Sequence, residues 1–413
     1  MLTASLFESG QLLKDELTKA PNPKPTSADK SRFGKLASLY TAFSGDFAVY
    51  ALDVCTRMGC SRIADPFAGT GTLAEAGRKL PVELQLGDIS PFAVLSCAFR
   101  SAPREAIERS VELIHKLSID IAAPDERVFF RELFTRLGVG AHASVVAHLT
   151  NPSDPEYRTV ALTIFLAALS RIHLYKRLGG SNPTWFKRPE IIADRLATLE
   201  SIRVTIAAVR EFARHLPDVH PENQTSPTWT SIESDPIAAG SLDAIVTSPP
   251  YSNRTDYIRH YFPASELLLA AAGRDERLVR AGQISTPLIR KDTPQHHLPA
   301  IITDILNQIL KHPSYASKRC CYKGFLYYFS DMLHALERMH SWLRERGVLL
   351  MIVQDTYYKD IYVPTADMLI QLADSVGFKL AGRRDWRVLH HLSRLTLARI
   401  LGEQCRIERC ASL

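Results

Sequence analysis

The sequence predicts an α/β fold: a mostly parallel sheet flanked by helices and interrupted by a large, mainly helical insertion. Three observations predict it. Ser61-Arg62-Ile63-Ala64 reads as a short buried strand, Asp65-Pro66-Phe67-Ala68-Gly69-Thr70-Gly71-Thr72 as a glycine turn, and Leu73-Ala74-Glu75-Ala76 as the helix that follows. A second buried strand, Leu242-Asp243-Ala244-Ile245-Val246, runs into Thr247-Ser248-Pro249-Pro250-Tyr251. About 175 residues separate the two strings, far more than the few tens that one crossover needs, so a segment is inserted between them.

Gly69 and Gly71 let the backbone pass close to a ligand, and the first-turn N–H groups of the next helix suit the carboxylate of an amino-acid-like cofactor. The third glycine of the dinucleotide fingerprint is missing, which argues against NAD. Leu84-Gln85-Leu86-Gly87-Asp88 then ends a second strand on an acid. Asp88 is either an acceptor for ribose hydroxyls or a solvated strand-end carboxylate.

In the second string, two prolines fix φ and lack an N–H, making a stiff turn with outward carbonyls. Such a turn suits a weakly nucleophilic exocyclic amine, whose lone pair is delocalised into its ring. Hydrogen bonds from the amine to Ser248 Oγ and the Pro249 carbonyl pull it towards a tetrahedral shape for in-line methyl transfer from a sulfonium. Pro250 completes the turn, and Tyr251 offers a flat face for an extruded base. Taken alone, a Ser-Pro-Pro-Tyr is a surface turn; after a buried strand and a glycine turn it reads as chemistry.

These residues resemble the S-adenosylmethionine-dependent, amino-directed DNA methyltransferases, whose cofactor motif reads D-x-F-x-G-x-G and whose catalytic motif reads D/N/S-P-P-Y/F. The likeness covers about half the chain, mainly 60–90 and 230–400, and the stretch TSPPYSNRTDY (247–257) is similar to a subgroup of bacterial site-specific methylases. It implies a Rossmann-like methyltransferase sheet with a reversed last strand, S-adenosylmethionine as cofactor and double-stranded DNA as substrate. The implied cofactor residues are Phe43, Ser44, Asp65, Phe67, Ala68, Gly69, Gly71, Thr72, Asp88, Ile89 and Asp235; the catalytic ones are Ser248, Pro249, Pro250 and Tyr251. Phe43 and Ser44 are assigned by position only, and an N-terminal helix with Phe43 in the core explains them equally. The serine form of the tetrapeptide points to cytosine N4 ahead of adenine N6. Enzymes of this kind can work beside a restriction endonuclease or another defence partner, which no residue here identifies.

Composition agrees. The chain has 413 residues, 23% charged and 46% hydrophobic, with net charge +6 and a pI near 8.9, which permits nucleic-acid binding without establishing it. No apolar run approaches a membrane span and no leader pattern precedes the body, so a cytoplasmic protein is expected. The seven cysteines show no metal-ligand spacing, so no metal is expected, and no Pro-Cys is present to supply the thiolate of cytosine-C5 methylation. A guanine-N2 RNA methyltransferase and a catalytically silent binding protein share the fold and stand as rivals.

The expected organisation is a flexible proline-rich arm (1–35), a catalytic domain in two pieces (36–100 and 230–413) and a helical insertion (101–229). Within the insertion, residues 173–189 alternate basic, aromatic and turn residues. Lys176, Arg177, Lys187 and Arg188 are candidates for phosphate contact, and Trp185 and Phe186 for stacking or wedging at the target base; Arg254, after the tetrapeptide, joins them. A structural cap explains the same loop equally well. A second basic stretch, 311–319, is a weaker candidate. The C-terminal part predicts a helix over 327–343 and strands at 348–353, 379–381 and 395–401.

Overall fold

The computed structural model describes residues 15–37, 43–179, 182–188, 195–253, 255–290, 294, 297–387 and 394–402. The strands are β1 (Arg62–Asp65), β2 (Glu83–Asp88), a separate hairpin of β3 (Tyr175–Leu178) and β4 (Thr184–Lys187), then β5 (Gln224–Trp229), β6 (Leu242–Thr247) and β7 (Leu343–Gln354). A small pair, β8 (Thr356–Tyr358) and β9 (Ile361–Val363), precedes β10 (Phe378–Arg387) and β11 (Arg394–Gly402). The main sheet runs β10-β11-β7-β6-β1-β2-β5. Its stretch β5-β2-β1-β6-β7 is parallel, while β11 pairs antiparallel with both β7 and β10. This is the Rossmann-like arrangement that the sequence predicts.

Every residue of β6 is buried, because helices cover both faces of the sheet. On one face, Ile63, Leu84 and Val246 pack with Phe47 and Leu52 of helix Gly45–Arg57. On the other, Ile245 and Leu349 meet Phe329, Met332 and Leu336 of helix Tyr322–Trp342. Among the described residues, no helix is long and apolar enough to cross a membrane.

Two of the expected boundaries move. The segment read as a flexible arm is partly packed: Thr26 caps helix Ser27–Gly34 through a capping box with Asp29, and Phe33 is 2% exposed. Glu16 accepts from Tyr50 Oη (2.7 Å) and pairs with Arg57 (2.9 Å), which holds its carboxyl down at about 2. The prolines misled because a few apolar anchors suffice to dock a polar stretch. The insertion, for its part, ends in β5, which is a full member of the sheet beside β2. Its helices are not a detached module either: Phe99 of helix Pro91–Ser101 packs on Phe165 and Phe212 at centroid distances of 5.2 and 5.7 Å.

Candidate active site

The chain runs from β1 through β2 to β5 on one side of β1, and places β6 and β7 on the other. A crevice opens at the carboxyl ends of strands where such a switch occurs. The two strings that the sequence singles out leave β1 and β6 at that point. They are tied together there, since Thr247 Oγ1 donates to Asp65 Oδ1 (2.6 Å), which also accepts from the Phe67 N–H (3.0 Å). The other oxygen, Asp65 Oδ2, is buried and meets no hydrogen-bond donor among the described residues. Burial pushes the carboxyl up to about 7, so Asp65 is a structural latch beneath the turn.

The glycines do different work. Gly69 has φ +53°, and a Cβ there would meet only the Phe67 carbonyl oxygen, at 3.9 Å, leaving its outer side open. Its N–H donates to Asp88 Oδ2 (2.9 Å), while the Ser90 N–H donates to Oδ1 (2.7 Å). Those two bonds hold the Asp88 carboxylate in place, and its burial pushes it up to about 6. Gly71 has φ +85°, and a Cβ there would lie 2.8 Å from the Cys97 Cα. Its task is to let the turn lie against helix Pro91–Ser101, so the expected direct ligand contact at Gly71 is corrected.

A single cleft of about 1290 Å3, its open mouth included, receives both motifs. Its walls include Phe67, Gly69, Asp88 and Ile89 on one side and Ser248, Pro249, Pro250 and Tyr251 on the other. Asp65, Ala68, Thr72 and Asp235 do not line it. Ala68 and Thr72 are buried behind the turn, and helix Thr72–Ala76 has only five residues. The Asp235 carboxylate packs on Gly87, where a Cβ would come within 2.7 Å of Oδ2, and burial pushes it up to about 6. Phe43 and Ser44 are also corrected. Ser44 caps helix Gly45–Arg57 through the Phe47 N–H, and the Phe43 ring stacks edge-on to Phe47 at 6.0 Å, lining a different cavity.

The basic hairpin divides by face. Tyr175, Arg177, Trp185 and Lys187 share the side turned to the protein, because Tyr175 pairs with Lys187 and Arg177 with Trp185. Trp185 Nε1 donates to the Arg259 carbonyl (2.8 Å), Arg177 lies 3.4 Å from His260 Nδ1, and Lys187 lies 3.5 Å from the fully buried Glu126. Tyr175 Oη donates to Glu126 (2.6 Å), which also faces the buried Arg171 (3.3 Å). Trp185 is therefore an anchor rather than a wedge. The outward side carries Lys176, Leu178 and Phe186, the last 51% exposed. Arg188 is exposed and bonds the Tyr175 carbonyl (3.4 Å), while Arg254 lies outside the described residues.

Several cleft residues were not among the candidates from the sequence, although Tyr257 closes the similar stretch 247–257. Thr230, Ser231, Ile232 and Glu233 follow β5, and Tyr257, His260 and Tyr261 follow the tetrapeptide. Tyr257 Oη accepts the Tyr251 N–H (2.9 Å), and Asp256 holds the next turn through Arg280 (2.7 Å) and the Arg259 N–H. Burial, helped by Arg177, pulls His260 down to about 3, so this ring stays neutral. Gln283, Ile284, Arg290 and Asp331 complete the wall from distant segments.

No protein-family model matches the chain. It is 21% identical over 377 residues, which is 77% of this chain and 73% of the relative, to the Type II methyltransferase M.BsoBI of Geobacillus stearothermophilus.

Proposed function

We propose that this chain is a DNA methyltransferase that moves a methyl group from S-adenosylmethionine to an exocyclic base amine, most directly cytosine N4. The observation that carries the reading is the single cleft bounded by Gly69 and Asp88 on one side and by Ser248 to Tyr251 on the other. The distant likeness to a Type II methyltransferase supports it. S-adenosylmethionine fits the first side: Gly69 leaves open space, Phe67 offers an apolar wall, and the fixed Asp88 carboxylate keeps lone pairs for ribose hydroxyls. When bound, the cofactor supplies an electrophilic methyl on a sulfonium.

The chain's own contribution is orientation. Ser248 Oγ and the Pro249 carbonyl accept hydrogen bonds from the two amine N–H groups, aiming the nitrogen lone pair across the cleft at the cofactor side, and the one proton displaced from the nitrogen on methylation leaves to water through the open mouth. Tyr251, steadied by the bond from its N–H to Tyr257, presents a ring face to the extruded base. Cytosine N4 is preferred to adenine N6 on the serine of the tetrapeptide. Labelled methyl transfer to unmethylated genomic DNA and to tRNA in parallel, followed by nucleoside analysis, tests the reading. N4-methylcytosine in DNA is the expected product; N6-methyladenine would move the target base, and label in tRNA alone would overturn DNA as substrate.

Asp88 gives a pH signature. Its carboxyl is raised to about 6, so the ionised acceptor prevails above that pH and is lost as pH falls through it. Calorimetry should show S-adenosylmethionine affinity falling from pH 7 to pH 5, and Asp88→Asn should weaken binding and flatten the dependence. Parent affinity that does not change with pH would remove Asp88 from the ribose site.

The outward face of the hairpin is the part of the insertion suited to duplex contact. Lys176→Ala with Arg188→Ala should weaken binding to all duplexes and flatten the slope of log affinity against log salt by roughly 0.9 for each phosphate that is no longer neutralised. A parent slope in the double variant would make the hairpin a structural cap.

A further inference from the structure

On the reading that a base enters this cleft, the rest of its hydrogen-bonding edge also needs partners. Once the amine N–H groups of cytosine are hydrogen-bonded to Ser248 and Pro249, the edge continues with two adjacent acceptors, N3 and O2. The corresponding edge of adenine continues with one acceptor, N1, and then a C–H. A planar donor with two N–H groups side by side pairs fully with cytosine, whereas with adenine one N–H would face the C–H and be left unpaired, so such a donor would select cytosine.

Arg290 is such a donor, and it lines the same cleft as Ser248 and Tyr251. Its guanidinium is held from two directions: Nη2 donates to Asp331 Oδ1 (2.7 Å), and the group lies 4.3 Å above the Tyr327 ring. The Tyr327 hydroxyl in turn donates to the Arg290 carbonyl (2.9 Å), fixing the backbone as well. Asp331 and Tyr327 both come from helix Tyr322–Trp342. The next residue on that helix, Tyr328, is buried. One helix therefore carries both side chains that hold the arginine. An ion pair placed inside a working cleft, with its cation stacked and braced, is an arrangement for presenting a guanidinium at a fixed angle.

We infer that Arg290, oriented by Asp331 and Tyr327, reads the flipped base by donating two hydrogen bonds to cytosine N3 and O2, and so sets the choice of cytosine over adenine. A bidentate contact of this kind is worth roughly 10- to 100-fold in discrimination.

The test uses the full chain with unmethylated genomic DNA and labelled S-adenosylmethionine. Arg290→Leu should lower N4-methylcytosine formation about 10- to 100-fold, while S-adenosylmethionine affinity by calorimetry stays at the parent value. Arg290→Lys, which keeps the charge but loses the fork, should fall between the two and guards against a leucine variant that folds poorly. Parent activity in Arg290→Leu would overturn the inference. So would a parallel loss of S-adenosylmethionine affinity in Arg290→Lys, which would place the arginine on the cofactor. A parent protein that makes only N6-methyladenine is a separate result: it refutes cytosine as the target, and the arginine's role falls with it.

Discussion

Replacing Ser248 with alanine is expected to lower turnover by two or more orders of magnitude while leaving S-adenosylmethionine and duplex binding intact. Ser248 follows β6, whose last residue, Thr247, is fixed to Asp65. The hydroxyl is thus delivered by a rigid strand end to the wall of the cleft. Removing a positioned hydrogen-bond partner at a reacting centre costs on the order of 3 kcal/mol, and the loss falls on the transition state rather than on substrate binding. Single-turnover rates with saturating cofactor measure it. A Ser248→Ala protein with the parent rate constant would take the serine out of the chemistry and leave the proline carbonyl as the only acceptor.

Gly71→Val is expected to destabilise the fold by about 3 kcal/mol or more, with loss of cofactor binding as a consequence. Two effects add. The position has φ +85°, where a side chain costs roughly 1–2 kcal/mol, and a branched one more. The new Cβ also lies 2.8 Å from the Cys97 Cα, so the turn or helix Pro91–Ser101 must shift, an overpacking cost of about 1–3 kcal/mol. Gly69→Ala is the informative contrast. With φ +53° and no atom nearer than 3.9 Å, it should lose only about 1–2 kcal/mol of stability, yet it projects a methyl group towards the cleft. Denaturant unfolding beside calorimetry separates the pair: Gly71→Val lowers the unfolding midpoint, whereas Gly69→Ala lowers cofactor affinity in a folded protein. A stable Gly71→Val that fails only to bind would restore the simpler view that both glycines face the ligand.

That contrast marks where reading residues in order reaches its limit. The strand, glycine turn and helix at 61–76 and the stiff turn after 242–247 are local: their period, their special φ requirements and their proline chemistry are written in consecutive residues. The α/β class and the pairing of two motifs followed from them, as did Ser248, Tyr251, Gly69 and Asp88 as walls of one site. Which way each glycine faces is not local. Gly69 and Gly71 are two residues apart and alike in sequence, and only the packing of helix Pro91–Ser101 decides that one meets open space and the other meets Cys97.

The same holds for the hairpin, where alternation of side chains over a paired ribbon sends Lys176 and Phe186 outward and turns Trp185 and Arg177 towards Arg259 and His260. Composition weighs both sets alike. The proline-rich stretch before residue 35 reads as mobile because its anchors, Glu16 and Phe33, find their partners only in the folded chain. The sheet and the two motifs were legible from residue order, because each depends on neighbours along the chain. That Arg290, Asp331 and His260 share the cleft with them was settled by the folded arrangement alone. Side chains separated by tens of residues meet there through strand order, and strand order leaves no short-range pattern to read.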